Sequence, residues 1–296
     1  MLGVINLDKP VGPTSHDMVG LLRRLTATRR IGHAGTLDPM ASGVLPILVG
    51  PATRFSQELS GSAKRYEAVI RLGWRSATDD TEGPLSRGDA TPPGVEQAAA
   101  ELASFVGAID QRPPDYSARK VGGRAAHRLA RAGRPPELAP HRVQIDAIAL
   151  LDAERGDDWL DLRVDIRCGP GTYIRSIARD LGERLGCGGH LHALRRTEAA
   201  GLAVAAASTP AELEALAAEG RLASVLLPVS DLLTLPRLNL TDEDTRRFGH
   251  GAISQLPGGT ADGRYAVYGG GRLRGIGDVA AGLLHPDKVL PVGTDE

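Results

Sequence analysis

Asp38 stands directly before a proline in the glycine-rich stretch GHAGTLDPMASGVL, residues 32–45. A residue that precedes proline is restricted to extended backbone conformations, and the glycines at 32, 35 and 43 permit tight turns or the close approach of a ligand. The stretch therefore predicts a carboxylate held at a fixed angle, as a nucleophile or general base requires. The alternative is an Asp-Pro turn whose side chain bonds to its own backbone. Position 38 alone favours that structural alternative.

Four other side chains are candidates to act with this carboxylate. His33 offers a flat ring, flanked by glycines, that can stack beside a nucleobase. Aromatic residues are only 3% of the chain, so Tyr66 and Tyr173 are candidate platforms for a flat ring, with hydroxyls for proton transfer. Arg175 lies one residue off an apolar helical stripe and can face solvent or pair with a buried carboxylate. Position alone leaves open an ordinary structural role for each of the four.

Charge is distributed unevenly along a chain whose net charge is −1. Residues 112–134 carry seven Lys or Arg and one Asp, and residues 163–196 carry seven Arg against three acids. This segregation predicts one basic face, typical of a protein that binds a phosphate backbone, although solvated helix faces are the alternative. Residues 112–142 are rich in Gly and Pro and have poor periodicity. They predict a basic RNA-binding arm that orders on binding.

Several classes of protein are not expected from the composition. No run approaches about 18 apolar residues, which a transmembrane helix needs, and the first residues lack the basic and apolar regions of a signal peptide. The two cysteines, Cys168 and Cys187, are too few for a disulfide framework and form no CxxC metal pattern. We therefore expect a cytoplasmic protein without a bound metal.

The elements that must position these residues predict an α+β fold. Apolar runs and alternation predict strands in GVINLDKP, GVLPILVG and KRYEAVIRLG, and a spacing of three and four predicts helices in TSHDMVGLLRRLT and GTYIRSIARDLGERLG. We predict a catalytic domain over residues 1–232, with a mixed central sheet and flanking helices. Short strands with glycine turns predict a small β-rich domain over residues 233–296.

Five motifs, taken together and in order, resemble those of the bacterial tRNA pseudouridine-55 synthases, the TruB family. The resemblance runs from about residue 3 to residue 197, and residues 233–296 resemble that family's small PUA-type RNA-binding domain. The motifs are INLDKPVGPTS, RIGHAGTLDPMASGVLPILVG, KRYEAVIRLG, PPDYSARKVGGRAAHRLAR and CGPGTYIRSIARDLGERLGCGGHLHALRRT. Agreement of all five is far more specific than any one of them.

The resemblance implies a catalytic set of three residues. Asp38 corresponds to the nucleophile of the family's GHxGTLDP motif. Tyr66 stacks on the target base and is the proposed base for its proton. Arg175, in the GTYIR motif, pairs with the aspartate.

The resemblance also implies a set of substrate-binding residues. His33 stabilises the flipped-out arrangement of the RNA loop, Tyr173 lines the pocket, and Leu194 of the LRR motif contacts the uracil. Lys9 and Pro10 belong to the first motif and are included in this set, with a structural, pocket-supporting role.

The implied function is isomerisation of uridine 55 in the TΨC loop of tRNA. The base is cut from its ribose, turned, and rejoined through C5, so nothing is oxidised and no cofactor is expected. The target base must first leave its stack, at a cost of roughly a few kcal/mol. One alternative is an RNA-binding chaperone that helps tRNA fold, with catalysis secondary. Another is the catalytic subunit of a guide-RNA particle. The short C-terminal domain favours a stand-alone enzyme that uses no guide RNA. We also expect a monomer that does not act at a membrane.

Overall fold

The chain folds around two mixed sheets, and most of the helices pack on the larger one. The computed structural model describes residues 1–117, 119–121, 124–131, 134 and 136–291. The α-helices in these residues are α1 (Ser15–Thr26), α2 (Ser56–Ser60), α3 (Val95–Ala103), α4 (Ala126–Arg131), α5 (Ile174–Arg184), α6 (Pro210–Ala218) and α7 (Asp242–Gly249). Short 3-10 helices span Gly50–Phe55, Val204–Ala206, Leu222–Val225 and Val229–Leu232.

The strands fall into one large sheet, one smaller sheet and two short hairpins. They are β1 (Gly3–Lys9), β2 (Ile31–His33), β3 (Ala41–Val49), β4 (Lys64–Leu72), β5 (Trp74–Ser76), β6 (Leu85–Arg87), β7 (Gly107–Gln111), β8 (Lys120–Val121), β9 (Arg124–Ala125), β10 (His141–Arg155), β11 (Leu160–Cys168), β12 (Gly189–Ala199), β13 (Leu202–Ala203), β14 (Arg237–Leu240), β15 (Ser254–Gln255), β16 (Gly263–Gly269), β17 (Arg272–Ala280) and β18 (Leu283–Val289).

The large sheet brings distant parts of the chain side by side. Its strand order is β1-β3-β12-β4-β11-β10-β7, with β2 paired to β3 and β13 paired to β12. Strand β12 pairs parallel with β3 and antiparallel with β4. It therefore lies between the strand that follows Asp38 and the strand that holds Tyr66.

The apolar pattern of each element decides which face is buried. In β4, residues at alternate positions, including Tyr66, are buried, as the sequence alternation predicts. Helix α1 begins after Thr14, whose side chain and that of Asp17 form a capping box. The main core lies where these faces meet, around residues such as Leu22, Ile70 and Ile177. The predicted α+β class with a mixed central sheet is confirmed.

The smaller sheet has the order β14-β16-β17-β18-β15. Ion pairs join it to the part of the chain around the large sheet: Arg264 and Lys288 each place a nitrogen 2.6 Å from a carboxylate oxygen of Glu58 in α2. The β-rich character predicted after residue 233 is present, whereas the domain division at residues 232 and 233 stays a prediction.

Two connecting segments contain secondary structure of their own. Residues 75–94, which are polar and rich in Gly and Pro, contain part of the hairpin of β5 and β6. Residues 112–142 hold β8, β9 and α4, and residues 118, 122–123, 132–133 and 135 of this predicted arm lie outside the described residues. Within the described part of the chain, no helix is long and apolar enough to cross a membrane.

Candidate active site

The loop between β2 and β3 carries Asp38 and is held by the Ser15 side chain and by a hydrogen bond within its own backbone. Ser15, buried at the start of α1, accepts a hydrogen bond from the Leu37 N–H at 2.8 Å and donates to the Leu37 carbonyl at 2.9 Å. The Ala41 N–H donates to the Asp38 carbonyl at 3.1 Å. The residue before Asp38 is thus fixed at both its amide and its carbonyl, and the carboxylate, 35% exposed, projects from a rigid loop.

Arg175 joins this carboxylate to a second one. Its Nη2 lies 3.0 Å from Asp38 Oδ2, and its Nη1 lies 3.3 Å from Asp80 Oδ2. Each of these nitrogens also donates to a backbone carbonyl at 3.0 Å, Nη1 to that of Thr78 and Nη2 to that of Tyr116. The Arg175 side chain is only 5% exposed, so it faces inward rather than towards solvent. The planar guanidinium suits this work, because its donors point in several fixed directions.

Sequence reasoning missed Asp80. Its side chain is 1% exposed, and its Oδ1 accepts hydrogen bonds from Thr78 Oγ1 and, at 3.0 Å, from the Glu82 N–H. Burial of a carboxylate is costly unless a cation or several hydrogen-bond donors contact it, and Asp80 has both. In the sequence, Asp80 stands beside Asp79 and Glu82, and nothing in this acidic stretch indicates that one of its carboxylates is buried.

Tyr66 lies beside a second buried arginine. Its register partner on β12 is Arg196, which is 1% exposed. Burial raises the pKa of Tyr66, while the nearby positive charge of Arg196 and a hydrogen bond from it act in the opposite direction. The raised pKa keeps the hydroxyl protonated at neutral pH.

Arg196 also holds the loop that carries the carboxylate. Its guanidinium donates to the carbonyls of Val44 at 2.7 Å, Gly35 at 3.0 Å and Thr36 at 3.3 Å. Its backbone approaches Gly43 so closely that a Cβ there would lie 2.2 Å from the Arg196 carbonyl oxygen. Glycine at 43 is therefore required by the parallel contact of β3 with β12. Arg196 is the second functional candidate that sequence reasoning missed.

Lys9 supports the same loop from the opposite side of Gly43. It is fully buried and is the register partner of Gly43 on β1. Its ammonium donates to the carbonyls of Pro10 and Pro13 at 2.8 Å and of Pro39 at 3.4 Å. Burial lowers the pKa of Lys9 to about 8, despite the opposing effect of Asp38. Lys9 is thus placed to support the loop that carries Asp38 rather than to contact a substrate.

Two cavities meet at the Asp38–Arg175 pair. The first, of about 260 Å³, is lined by Tyr66, Tyr173 and Leu194 together with that pair. It is smaller than the roughly 300–1,000 Å³ clefts that hold drug-sized ligands, and it suits a single nucleobase. Three side chains predicted to surround the base thus share one cavity.

The second cavity, of about 720 Å³, lies on the other side of the same pair. His33 and His16 line it, along with Asp80 and Glu82. His33 is the last residue of β2, and burial lowers its pKa, with a smaller contribution from Arg196. The ring is therefore neutral at pH 7, as stacking on a nucleobase favours.

The predicted site residues thus divide into four groups. Asp38 and Arg175 border both cavities, the two tyrosines and Leu194 border the first, and His33 borders the second. In the described residues, Lys9 and Pro10 border neither of these two cavities. No group of three or more His, Cys, Asp or Glu that could hold a metal ion occurs among the described residues.

The arrangement combines a carboxylate, a cation and a phenol around a space for one flat ring. The cation holds the carboxylate at the wall of this space, and the phenol can exchange a proton with a ring held against it. This is the chemistry expected for covalent attack on a nucleotide followed by proton transfer.

Family models match two consecutive parts of the chain. The N-terminal domain model of the TruB family pseudouridylate synthases matches residues 23–174. The chain belongs to the TruB family. The model of the tRNA pseudouridylate synthase B C-terminal domain matches residues 175–234. The resemblance inferred from the sequence motifs is confirmed, and the smaller sheet lies beyond both matched ranges.

Named relatives support TruB membership over nearly the whole chain. The tRNA pseudouridine synthase B of Ralstonia nicotianae is 44% identical and aligns with 97% of this chain and 94% of its own length. The enzyme of the same name from Acaryochloris marina is also 44% identical, over 98% of this chain and 99% of its own.

Solved structures share the TruB fold seen here. A structure of an H/ACA RNP bound to a substrate RNA containing 2'-deoxyuridine matches with a TM-score of 0.75 and 25% identity, over 98% of this chain and 86% of that one. A Cbf5-Nop10-Gar1 complex matches with a TM-score of 0.72 and 26% identity, over 98% and 85%.

Proposed function

We propose that the chain converts uridine to pseudouridine at position 55, in the TΨC loop of tRNA. The observation that carries the proposal is the Asp38–Arg175 ion pair of 3.0 Å at the wall of a base-sized cavity that also holds Tyr66. Family membership and relatives that are 44% identical and named tRNA pseudouridine synthase B support it.

Asp38 is the proposed nucleophile, and the ion pair with Arg175 directs its carboxylate at the nucleotide. The Asp38 carboxylate bonds to the nucleotide, the N1–C1′ bond breaks and the base turns while it is held in the cavity. C5 then bonds to C1′, and the bond to Asp38 breaks, which restores the carboxylate. The hydrogen on C5 then leaves as a proton and N1 gains one, so the product is an isomer of the substrate. Tyr66 is the proposed base, and its protonated hydroxyl accepts the C5 proton while it passes its own proton to water in the cavity.

The remaining predicted residues bind the substrate in this proposal. Tyr173 and Leu194 hold the uracil in the first cavity. His33 stays at the neighbouring cavity, where a neutral ring stabilises the RNA loop after the base has left its stack. Lys9 and Pro10 act by supporting the loop that bears the nucleophile.

The basic arm at residues 112–142 and the smaller, PUA-like sheet are the proposed contacts to the T arm of tRNA. Arginines in both supply charge for phosphate binding. We propose that the protein acts as a monomer in the cytoplasm, without guide RNA. Pseudouridine formation by the purified chain on a bare tRNA transcript tests this independence from other components.

The nucleophile is tested with Asp38→Asn, and Asp146→Asn on the exposed face of β10 is the matched control. The enzyme hypothesis expects Asp38→Asn to form no pseudouridine and to keep its affinity for tRNA, whereas the control forms product at the wild-type rate. Undiminished product from Asp38→Asn contradicts the assignment. If the protein is instead an RNA chaperone with secondary catalysis, Asp38→Asn should still promote tRNA folding as well as the wild type does. Base-resolution pseudouridine mapping of total RNA, with and without the protein, identifies the modified position.

A further inference from the structure

Gln111, the last residue of β7, binds the backbone of Tyr173 at two points. Its side chain is fully buried, its Oε1 accepts a hydrogen bond from the Tyr173 N–H at 2.9 Å, and its Nε2 donates to the Tyr173 carbonyl at 3.1 Å. Two residues of antiparallel strands bind each other with the same pair of bonds. Here the Gln111 side-chain amide makes the same pair of bonds to Tyr173, a residue of the cavity wall that lies in no strand.

Tyr173 is also the residue at which α5 begins. It has extended backbone angles, φ −103° and ψ 113°, and its side chain makes no capping hydrogen bond. Tyrosine is not among the preferred N-cap residues, which fix a helix start through a side-chain oxygen. The contact with Gln111 supplies that restraint instead. Arg175 follows two residues later, so the same contact sets the position of its backbone.

His141 holds the same turn from the neighbouring strand. It is the register partner of Gln111 across β7 and β10, and its Nε2 lies 3.1 Å from the Gly171 carbonyl. Because a carbonyl only accepts, Nε2 carries the proton of this bond. The His141 and Tyr173 rings meet edge-on, with centroids 6.3 Å apart and an interplanar angle of 81°. This lies within the geometry that aromatic pairs prefer.

The residues after Gln111 extend the contact along α5. The Arg112 carbonyl accepts a hydrogen bond from Ser176 Oγ at 2.8 Å, and the Tyr116 carbonyl accepts one from Arg175 Nη2 at 3.0 Å. That nitrogen is the one that contacts the proposed nucleophile. The segment that leaves β7 therefore bonds to the pocket tyrosine, to α5 and to the guanidinium in turn.

We propose that Gln111 and His141 are positioning residues for the reaction, which hold Tyr173 against the cavity and fix the start of the helix that carries Arg175. The proposal rests on the proposed function, because both act through the pocket assigned to the uracil. Neither Gln111 nor His141 is among the described residues that line this cavity. Their effect is therefore on the geometry of the bound base rather than on its capture.

The first test is Gln111→Met, which keeps the length of the side chain and removes both hydrogen bonds. We expect the single-turnover rate at saturating tRNA to fall by about 10-fold to 100-fold, the effect of a small misplacement of reacting groups, with the Kd for tRNA unchanged. Hydrogen exchange measured by mass spectrometry should quicken in peptides that cover residues 171–177, because the Tyr173 N–H loses its acceptor. Gln144→Met, on the exposed face of β10, is the matched control and should leave both measurements unchanged.

A second pair of variants decides the matter if Gln111→Met does not fold. His141→Phe keeps a ring beside Tyr173 and loses the donor to Gly171, and we expect a lower saturating rate with unchanged Kd. His141→Gln restores an N–H donor and should recover part of the rate.

Two results would overturn the proposal. One is a wild-type saturating rate in the folded variants, and the other is a loss confined to the Kd for tRNA. If the wild-type chain itself forms no pseudouridine, the proposed function fails. Hydrogen exchange at residues 171–177 still reports whether Gln111 holds the turn.

Discussion

Arg175→Lys separates the geometry of the arginine from its charge. The guanidinium uses one nitrogen for Asp38 and the other for Asp80. A lysine ammonium carries all its donors on a single nitrogen, so it can contact one carboxylate well but cannot span both. The substitution preserves the positive charge that the buried Asp80 requires, and the protein should remain folded.

The expected loss follows from the bonds that disappear. If the ammonium stays with the more buried carboxylate, Asp38 loses its ion pair at 3.0 Å, a contact between charged groups that is worth about 1.5–3 kcal/mol if valued like a hydrogen bond to a charged group. At about 1.4 kcal/mol for each tenfold change, the rate of the chemical step falls by roughly 10-fold to 100-fold. By contrast, Arg175→Ala leaves Asp80, 1% exposed, as an unpaired buried charge. That variant should lose about 3–5 kcal/mol of unfolding free energy as well.

Release of the C5 hydrogen gives a direct assay. A tRNA transcript labelled with tritium at C5 of uridine is mixed with excess enzyme, and the tritium that enters water measures a single turnover. Filter binding of the same transcript gives the Kd, and urea unfolding gives the stability. For Arg175→Lys we expect a slower turnover, an unchanged Kd and nearly wild-type unfolding.

Two outcomes would contradict this account of Arg175. A wild-type turnover rate for the lysine variant would mean that spanning two carboxylates is unimportant. A loss of affinity equal to the loss of rate would mean that the arginine mainly binds a phosphate of the RNA.

Three further predictions concern other parts of the structure. Tyr66→Phe keeps the buried ring and removes the proposed base, so tritium release should slow by about 100-fold to 10,000-fold while tRNA binding persists. Lys9→Met leaves carbonyl oxygens without a donor, and urea unfolding should reveal a loss of about 1–3 kcal/mol. Burial alone would raise the pKa of Glu58, but hydrogen bonds from Lys288 and Arg264 hold it below its usual value. The ionised Glu58 side chain therefore stabilises the fold above the ordinary glutamate pKa, and this stabilisation is lost as the pH falls through the lowered pKa of the folded protein. Glu58→Gln should remove this acid-dependent part of the thermal unfolding profile.

Local structure could be predicted from the sequence wherever the residues of one segment are enough to determine its conformation. The alternation in β4 places Tyr66 on the buried face. Thr209 and Glu212, three residues apart, form the capping box that starts α6, and this spacing is a sequence signature of a helix start. In both cases the periodicity or the cap lies within a few residues, so no distant contact is needed to decide it.

The direction of Arg175 could not be predicted in this way. An apolar stripe on α5 explains the burial of Ile177 and Leu181, and it leaves position 175 at the edge of the stripe. The residues after β7 cover that edge, since the Tyr116 carbonyl bonds to the guanidinium. Burial of this arginine is therefore a consequence of packing between segments that are far apart in sequence.

The sequence by itself determined the family, the types of chemical group and the elements that carry them. The tertiary structure decided which groups meet. Strand β12 lies between β3 and β4, and this order places Arg196 next to both the nucleophile loop and Tyr66. The same packing buries Asp80 against Arg175. Both buried charges are invisible to sequence patterns, because the free energy that keeps a charge buried comes from partners that only the folded chain supplies.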